Sequence, residues 1–268
     1  MTELLCDFGH AQRRVLFLDY DGTLTHFVEH PPMARPSEQL LALLQHVARD
    51  PQNEVVLISG RDKETMQDWF GALNVGLVAE HGVWVKEQDR TWEMTKSLSG
   101  GWKSQILPIL EMYADRLPGS FVEQKEFSLV WHYRGADPDL SSARARELID
   151  DLVHFTANMG IQVIQGSKIV EIRNAEVNKG LGALHWLSKV EADFILAAGD
   201  DWTDEDLFKA IPLTAYSIKV GMTQSQARYY LREPREVLLL LERLRDANGG
   251  ITLNGLTTHA AQQPGERA

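Results

Sequence analysis

Val15-Leu16-Phe17-Leu18-Asp19-Tyr20-Asp21-Gly22-Thr23-Leu24 joins four apolar residues to two carboxylates and a glycine turn. An apolar run without alternation is the pattern of a strand covered on both faces, as in a parallel sheet. Ligands of open α/β sheets bind in the crevice beyond the carboxyl ends of the strands. Asp19 and Asp21 therefore stand where chemistry is expected.

Working outward, the same unit of strand, polar turn and helix recurs. Helical apolar spacing covers Ser37 to Arg49, and Glu54 to Ile58 is a second strand running into Ser59-Gly60-Arg61 and a helix from Asp62 to Phe70. Gly76 to Ala79 is a third strand, followed by Glu80-His81-Gly82 and a hairpin through Val83-Trp84-Val85 and Trp92-Glu93-Met94. From Gly100 the rhythm changes to helix, strand, strand, twice over: 102–117, 121–124, 128–133, then 141–159, 161–164, 168–172. Two such halves predict a small antiparallel sheet with helices on one face. The first rhythm resumes at Asn178-Lys179-Gly180 with a helix to Ser188 and an apolar strand, Asp193 to Ala198, ending at Gly199-Asp200-Asp201. A helix from Thr203, a strand at Thr214 to Ile218 and helices at Gln224 to Leu231 and Arg235 to Arg245 follow. The predicted fold class is α/β, a doubly wound parallel sheet interrupted by an α+β insert. Residues 1–99 and 175–248 form the core, 100–174 the insert, and 249–268 a polar tail expected to be mobile.

The 268 residues are 44% hydrophobic, enough for a sizeable core, and the net charge of −11 argues against a broad nucleic-acid surface. No apolar run is long enough to span a bilayer, and the opening Met1-Thr-Glu-Leu-Leu lacks a secretory pattern, so a cytoplasmic location is expected, with no membrane partner. Cys6 is alone, which excludes intrachain disulfides, and His81, His132 and His185 lack zinc-ligand spacing. The tryptophans are expected as core or interface filler.

Asp19 with Asp21, Ser59, and Asp200 with Asp201 each follow an apolar strand directly, and Lys179 opens a helix. Parallel neighbouring strands would bring all of them to one crevice. Asp19, Asp21 and Asp200 offer hard oxygen ligands suited to magnesium, a lysine is a point charge for phosphoryl oxygens, and a serine at a helix amino-terminus suits the same anion. A carboxylate can attack phosphorus while a second acid protonates the leaving alkoxide and later activates water, so the set fits phosphoryl transfer with Asp19 as nucleophile and Asp21 as acid/base.

Asp19-x-Asp21-Gly22-Thr23, Ser59, Lys179 and Gly199-Asp200-Asp201-x-x-Asp204 resemble the four motifs of the haloacid dehalogenase superfamily, over residues 13 to 245. The resemblance implies a Rossmann-like core whose phosphoryl group is held by Ser59, Gly60 and Lys179, with Mg2+ bound by the Asp19 side chain, the Asp21 carbonyl and Asp200. The insert between the second and third motifs resembles the smaller C2-type caps, which cover the crevice and select substrate. Leu18 to Leu24, Ile58-Ser59-Gly60-Arg61, Ala79-Glu80-His81-Gly82, Asn178-Lys179-Gly180 and Gly199-Asp200-Asp201-x-Thr203-Asp204-Glu205-Asp206 are most similar to the trehalose-6-phosphate phosphatase family within it. That likeness extends to Glu123-x-Lys125, His132-Tyr133-Arg134 and Gly166-x-Lys168-x-x-Glu171. It implies a phosphorylated disaccharide gripped by Arg61, Glu123, Lys125, His132, Arg134, Lys168 and Glu171, a monomeric enzyme of trehalose biosynthesis, and allows a trehalose-phosphate synthase as partner. On the strand of the insert, Glu123 and Lys125 sit two apart and face the same way.

Each motif also admits a plainer reading. An EF-hand loop is disfavoured because Thr23 takes the next ligand position and no matching glutamate follows. Ser59 could simply cap its helix, Lys179 could be solvated, and Thr203 with Asp206 reads as a variant capping box, which leaves Asp206 structural and Asp204 in a water-mediated role around the metal. Phosphates of sucrose, mannosylglycerate or glucosylglycerol are alternative substrates, and a catalytically silent regulatory module is an alternative class. Hinges for closure of the insert are expected at Gly100-Gly101 and Arg173-Asn174, and Glu123, Lys125 and Lys168 would then meet the sugar.

Overall fold

A computed structural model of the chain describes residues 2–28 and 30–248. In chain order the elements of the first layer system are α1 (Thr2–His10), β1 (Arg14–Asp19), α2 (Glu38–Ala48), β2 (Asn53–Ile58), α3 (Lys63–Phe70), β3 (Gly76–Ala79), β4 (Trp84–Lys86) and β5 (Glu93–Met94). Residues of the insert form α4 (Lys103–Asp115), β6 (Phe121–Gln124), β7 (Ser128–His132), α5 (Pro138–Thr156), β8 (Ile161–Gly166) and β9 (Ile169–Asn174). The chain then returns through α6 (Lys179–Leu187), β10 (Phe194–Gly199), α7 (Asp204–Ala210), β11 (Tyr216–Val220), β12 (Tyr229–Leu231) and α8 (Pro234–Asn248).

All six residues of β1 are buried because the strand is central: β10 pairs with it on one side and β2 on the other, both parallel. The sheet runs β12-β11-β10-β1-β2-β3-β4-β5, with β4 and β5 antiparallel at one edge. Successive side chains point to opposite faces of a strand. Leu16 and Leu18 accordingly pack with Leu44, Leu57 and Leu241 under α2 and α8, whereas Val15 and Phe17 pack with Val56, Ala183 and Leu207 under α6 and α7. Burying each such side chain contributes about 1.5–3 kcal/mol, so both faces of β1 are needed apolar.

The second sheet is fully antiparallel, in the order β6-β7-β9-β8. Its alternation sorts the two faces: Leu129, Trp131, Val170 and Ile172 pack against Ile106, Leu110, Leu148 and Leu152 of α4 and α5, and the intervening Val130, His132, Ile169 and Glu171 line a cavity facing the first sheet. The turn between β6 and β7 rests on the first sheet. There Phe127 packs with Val83 and Val177, its amide donates to Glu80 Oε2 at 3.0 Å, and Lys63 meets Glu126 at 2.7 Å.

Several expectations need correction. The helix expected at 224–231 is absent: irregular chain leads into β12, a short edge strand parallel to β11. Its Tyr229 ring stacks on Tyr216, 5.5 Å between centroids, so tertiary packing overrides the helical spacing. No side-chain capping bond is made by Thr203, so the capping box does not form. The amino-terminal helix α1, which was not anticipated, is held by Phe8 against Phe194 and by Tyr216 Oη donating to Asp7 at 2.6 Å. The expected mobile tail at 249–268 lies outside the described residues. No helix among them is long and apolar enough to cross a membrane.

Candidate active site

Parallel register carries the ends of β10, β1 and β2 to one edge, since Leu18 pairs with Ala198 and Asp19 with Ile58. Asp19, Ser59 and Asp200 therefore emerge side by side although they are distant in sequence. Asn178 caps α6 by accepting from the Leu181 amide at 3.0 Å, and this starts the helix at Lys179, whose amine reaches Asp19 Oδ1 at 2.6 Å and Asp204 Oδ1 at 2.7 Å. All three side chains are buried.

One ligand atom each from Asp19, Asp200 and Asp204 lies within 4.8 Å of the others. Burial, then the neighbouring Asp19 and Asp204 carboxylates, pushes Asp200 up to about 9. Asp19 is pushed up to about 7 by burial, with Asp204 and Asp21 adding to it and the Lys179 cation opposing it. Burial works against the charge on Lys179, yet Asp19 and Asp204 outweigh it and hold that amine well above the ordinary lysine range. A single lysine thus serves two buried carboxylates with the half-buried Asp200 beside them, and Asp19 Oδ2 has no hydrogen-bond partner. A further cation answers both facts, and an all-oxygen donor set suits a hard divalent ion.

Glycines let these groups approach. Gly22 has φ +83°, and a Cβ there would stand 2.3 Å from the Asp200 carboxylate. At Gly199 a Cβ would stand 2.2 Å from Asp204 Cγ. The Asp200 loop is fixed from below by buried Lys219, which donates to the Asp200 carbonyl, and by the Asp201 amide donating to Asp204 Oδ2 at 2.9 Å.

On the other flank, Ser59 Oγ accepts from the Arg61 amide at 3.2 Å. Arg61 forks onto Asp21, Nε to Oδ2 at 2.7 Å and Nη2 to Oδ1 at 2.6 Å. Glu80 and His81 both adopt left-handed φ, 44° and 56°, costing of order 1 kcal/mol each. Their amides donate to the carbonyls of Arg61 and Ser59 at 2.8 and 3.0 Å, so the bent segment braces the Ser59 loop. The bend also aims His81 Nε2 at Glu171 Oε2, 3.0 Å away. Burial pushes His81 down to about 4, so a neutral imidazole donates to Glu171. Burial acts to raise the Glu171 carboxyl, but the hydrogen bond from His81 and the Lys125 and Arg173 cations hold it well below the carboxylate range.

Between the two sheets lies a cavity of about 590 Å³, lined by Asp19, Asp21, Ser59, Gly60, Arg61, Lys179 and Asp200 from below and by Glu123, Lys125, His132, Arg134 and Glu171 from above. Glu123 accepts from His132 Nε2 at 2.7 Å, and despite burial the nearby Lys125 and His132 hold its carboxyl down at about 2. Lys125 lies in the turn beyond β6 rather than on a strand, and its amine donates to the Gly60 carbonyl at 2.8 Å. Arg134 donates to the Ser167 carbonyl at 2.7 Å and stacks on Phe27, 5.3 Å from the ring centroid. Lys168 departs from expectation: it sits in a tight turn with φ +64°, its amine 5.9 Å from the centre of the Tyr133 ring, and it is not among the residues lining the cavity. Local turn geometry, not strand alternation, decides where that side chain goes.

A family model described as trehalose-phosphatase matches residues 17–235. The chain belongs to the trehalose-phosphatase family. This trehalose-phosphatase family member is 41% identical over 245 residues to a bifunctional trehalose-6-phosphate synthase/phosphatase of Thermoproteus tenax, a match covering 91% of this chain and 34% of that protein. It is 37% identical over 231 residues to the trehalose-phosphatase of Saccharomyces cerevisiae, covering 78% of this chain and 26% of the relative. The chain therefore spans about a third or less of the length of these curated relatives. Among solved structures, the C-terminal domain of C. albicans trehalose-6-phosphate phosphatase superposes with a TM-score of 0.86 at 33% identity, covering 91% of this chain and 96% of that one.

Three residues of this family member escaped the sequence. His81 had its motif recognised but no role, Asp204 was given a role only around the metal yet also pairs with Lys179 at 2.7 Å, and Lys219 supports the Asp200 loop. A lysine inside the strand Tyr216-Ser217-Ile218-Lys219-Val220 was the available signal for the last.

Proposed function

We propose that this chain hydrolyses trehalose 6-phosphate to trehalose and phosphate, with a divalent cation, magnesium, held by the Asp19 and Asp200 side chains and the Asp21 carbonyl, and Asp204 beside them. Bound there, the cation would supply positive charge to the phosphoryl oxygens. The observation that carries the reading is Asp19 itself. One oxygen is fixed on Lys179 at 2.6 Å and the other is left without a hydrogen-bond partner in a residue that lines the cavity.

The chemistry then divides between two carboxylates. Asp19 Oδ2 attacks phosphorus, the bond from phosphorus to the sugar oxygen breaks, and its electron pair stays on that oxygen. Asp21 gives this oxygen a proton, which releases the sugar and leaves an aspartyl-phosphate on Asp19. Asp21 next takes a proton from water as the water oxygen bonds to phosphorus, and the acyl-phosphate bond breaks to return Asp19 and inorganic phosphate. Ser59, the Gly60 backbone and Lys179 hold the phosphoryl oxygens throughout.

Residues 100–174 act in this reading as a cap that chooses the sugar. The cavity-facing set of Glu123, Lys125, His132, Arg134 and Glu171 offers charged donors and acceptors to a polyhydroxylated substrate, and such hydrogen bonds are the stronger kind. Lys168 would join them only by leaving Tyr133. Names such as synthase/phosphatase among the relatives support a trehalose-phosphate synthase as a partner, and a cytoplasmic, monomeric enzyme completes the reading. Phosphate release from a panel of phosphorylated sugars tests it. Turnover of trehalose 6-phosphate should exceed that of sucrose, mannosylglycerate and glucosylglycerol phosphates, disappear with chelator and return with magnesium. Preference for another sugar overturns the substrate, and turnover indifferent to chelation overturns the metal.

A further inference from the structure

Arg61 was expected to bind substrate, yet in the structure each of its three guanidinium nitrogens already donates to a protein acceptor. Two nitrogens fork onto the two oxygens of Asp21 at 2.6 and 2.7 Å, and Nη1 donates to the Pro31 carbonyl at 2.9 Å. Its plane lies against Trp69, 4.4 Å to the ring centroid, with Tyr20 at 5.5 Å. A fork–fork pair fixes the plane of a carboxylate as well as its position. Each carboxylate oxygen carries two lone pairs, so the fork uses one on each and leaves one free. Asp21 is thus held flat, oriented and still able to accept a hydrogen bond from water on its cavity side.

We propose that Arg61 is a positioning residue acting through Asp21, aligning that carboxylate to take the proton of the attacking water in the second half of the reaction. This rests on Asp21 as the acid/base. The Pro31 carbonyl and Trp69 hold the guanidinium independently of Asp21.

An aryl phosphate separates this role from sugar binding, since p-nitrophenyl phosphate has no sugar for Arg61 to grip and its leaving group departs without an acid. In rapid mixing, R61Q should release one equivalent of nitrophenolate at the wild-type burst rate and then turn over at least about tenfold more slowly than wild type, with KM little changed, the aspartyl-phosphate accumulating. Combining R61Q with D21N should slow the steady state no further than D21N alone. R61K, which keeps the charge and stem but loses the fork, should fall between wild type and R61Q. Burst amplitude counts competent sites, so a folding defect would lower amplitude and leave the rate alone. Wild-type aryl turnover by R61Q, or a loss that multiplies with that of D21N, overturns the proposal. If D21N itself turned over the aryl phosphate like wild type, the acid/base assignment would fall instead.

Discussion

Below the cavity, Asp19, Lys179 and Asp204 form a contiguous ion-paired chain almost out of reach of solvent, on the ends of strands whose register fixes them. Above it, Glu123 and His132 pair across β6 and β7 while remaining partly exposed, and Lys125 and Arg134 hold backbone carbonyls at 2.8 and 2.7 Å that a sugar hydroxyl could replace. The lower wall is over-determined: carboxylates crowd there without enough cations, and removing Lys179 leaves buried charges uncompensated. The upper wall is exchangeable, because its partners can be traded for ligand groups at little cost. In the proposed function, reaction class belongs to the first wall and substrate choice to the second.

The sharpest way to break this division is at Asp19. Asp19→Asn is nearly isosteric but a poor nucleophile, and phosphate release should fall by at least about four orders of magnitude for sugar and aryl phosphates alike, with thermal unfolding little altered. Selective loss on one substrate would place Asp19 in recognition rather than chemistry. Next in size is Lys179→Met in metal-free buffer. Stranding Asp19 and Asp204 without their cation should cost about 3–5 kcal/mol in urea unfolding, and added magnesium should recover part of it.

A smaller effect is expected above the cavity. Replacing Lys125 with Met should lower kcat/KM for trehalose 6-phosphate about 10- to 100-fold, the scale of a charged hydrogen bond, and leave p-nitrophenyl phosphate turnover near wild type. Equal losses on both substrates would show that Lys125 acts through the Gly60 carbonyl on the phosphate loop instead. The smallest effect is in pH. His81 is held neutral by burial at about 4, below the ordinary value of 6.5, so the unfolded chain binds more protons between those values. The contribution is present above about pH 6.5 and lost as pH falls, about 2 kcal/mol between pH 7 and 5, and urea midpoints should drop accordingly. In His81→Gln that component of the pH dependence should vanish.

What could be read from the chain divides along the same line. The apolar run into Asp19, and its repetition before Ser59 and Asp200, was enough for the sheet and the convergence of the lower wall, because a strand buried on both faces leaves a nearly continuous hydrophobic signature. Short, half-exposed or turn-bound features left none. The edge strand Tyr229–Leu231 reads as a helix until Tyr216 is placed against it, and α1 depends on contacts made by residues some two hundred positions away, such as Tyr216 with Asp7.

The sequence by itself determined which candidate groups meet at one edge of the sheet, since Asp19, Asp21, Ser59, Lys179 and Asp200 sit at strand ends and a helix start, positions set by local backbone pattern. Only the tertiary structure decided how they are partnered. The fork of Arg61 on Asp21, the turn of His81 toward Glu171, the direct bond between Lys179 and Asp204, and the diversion of Lys168 onto Tyr133 all join segments far apart in the chain or depend on left-handed residues. Spacing cannot encode those contacts, because they are fixed by how the two sheets meet around the cavity.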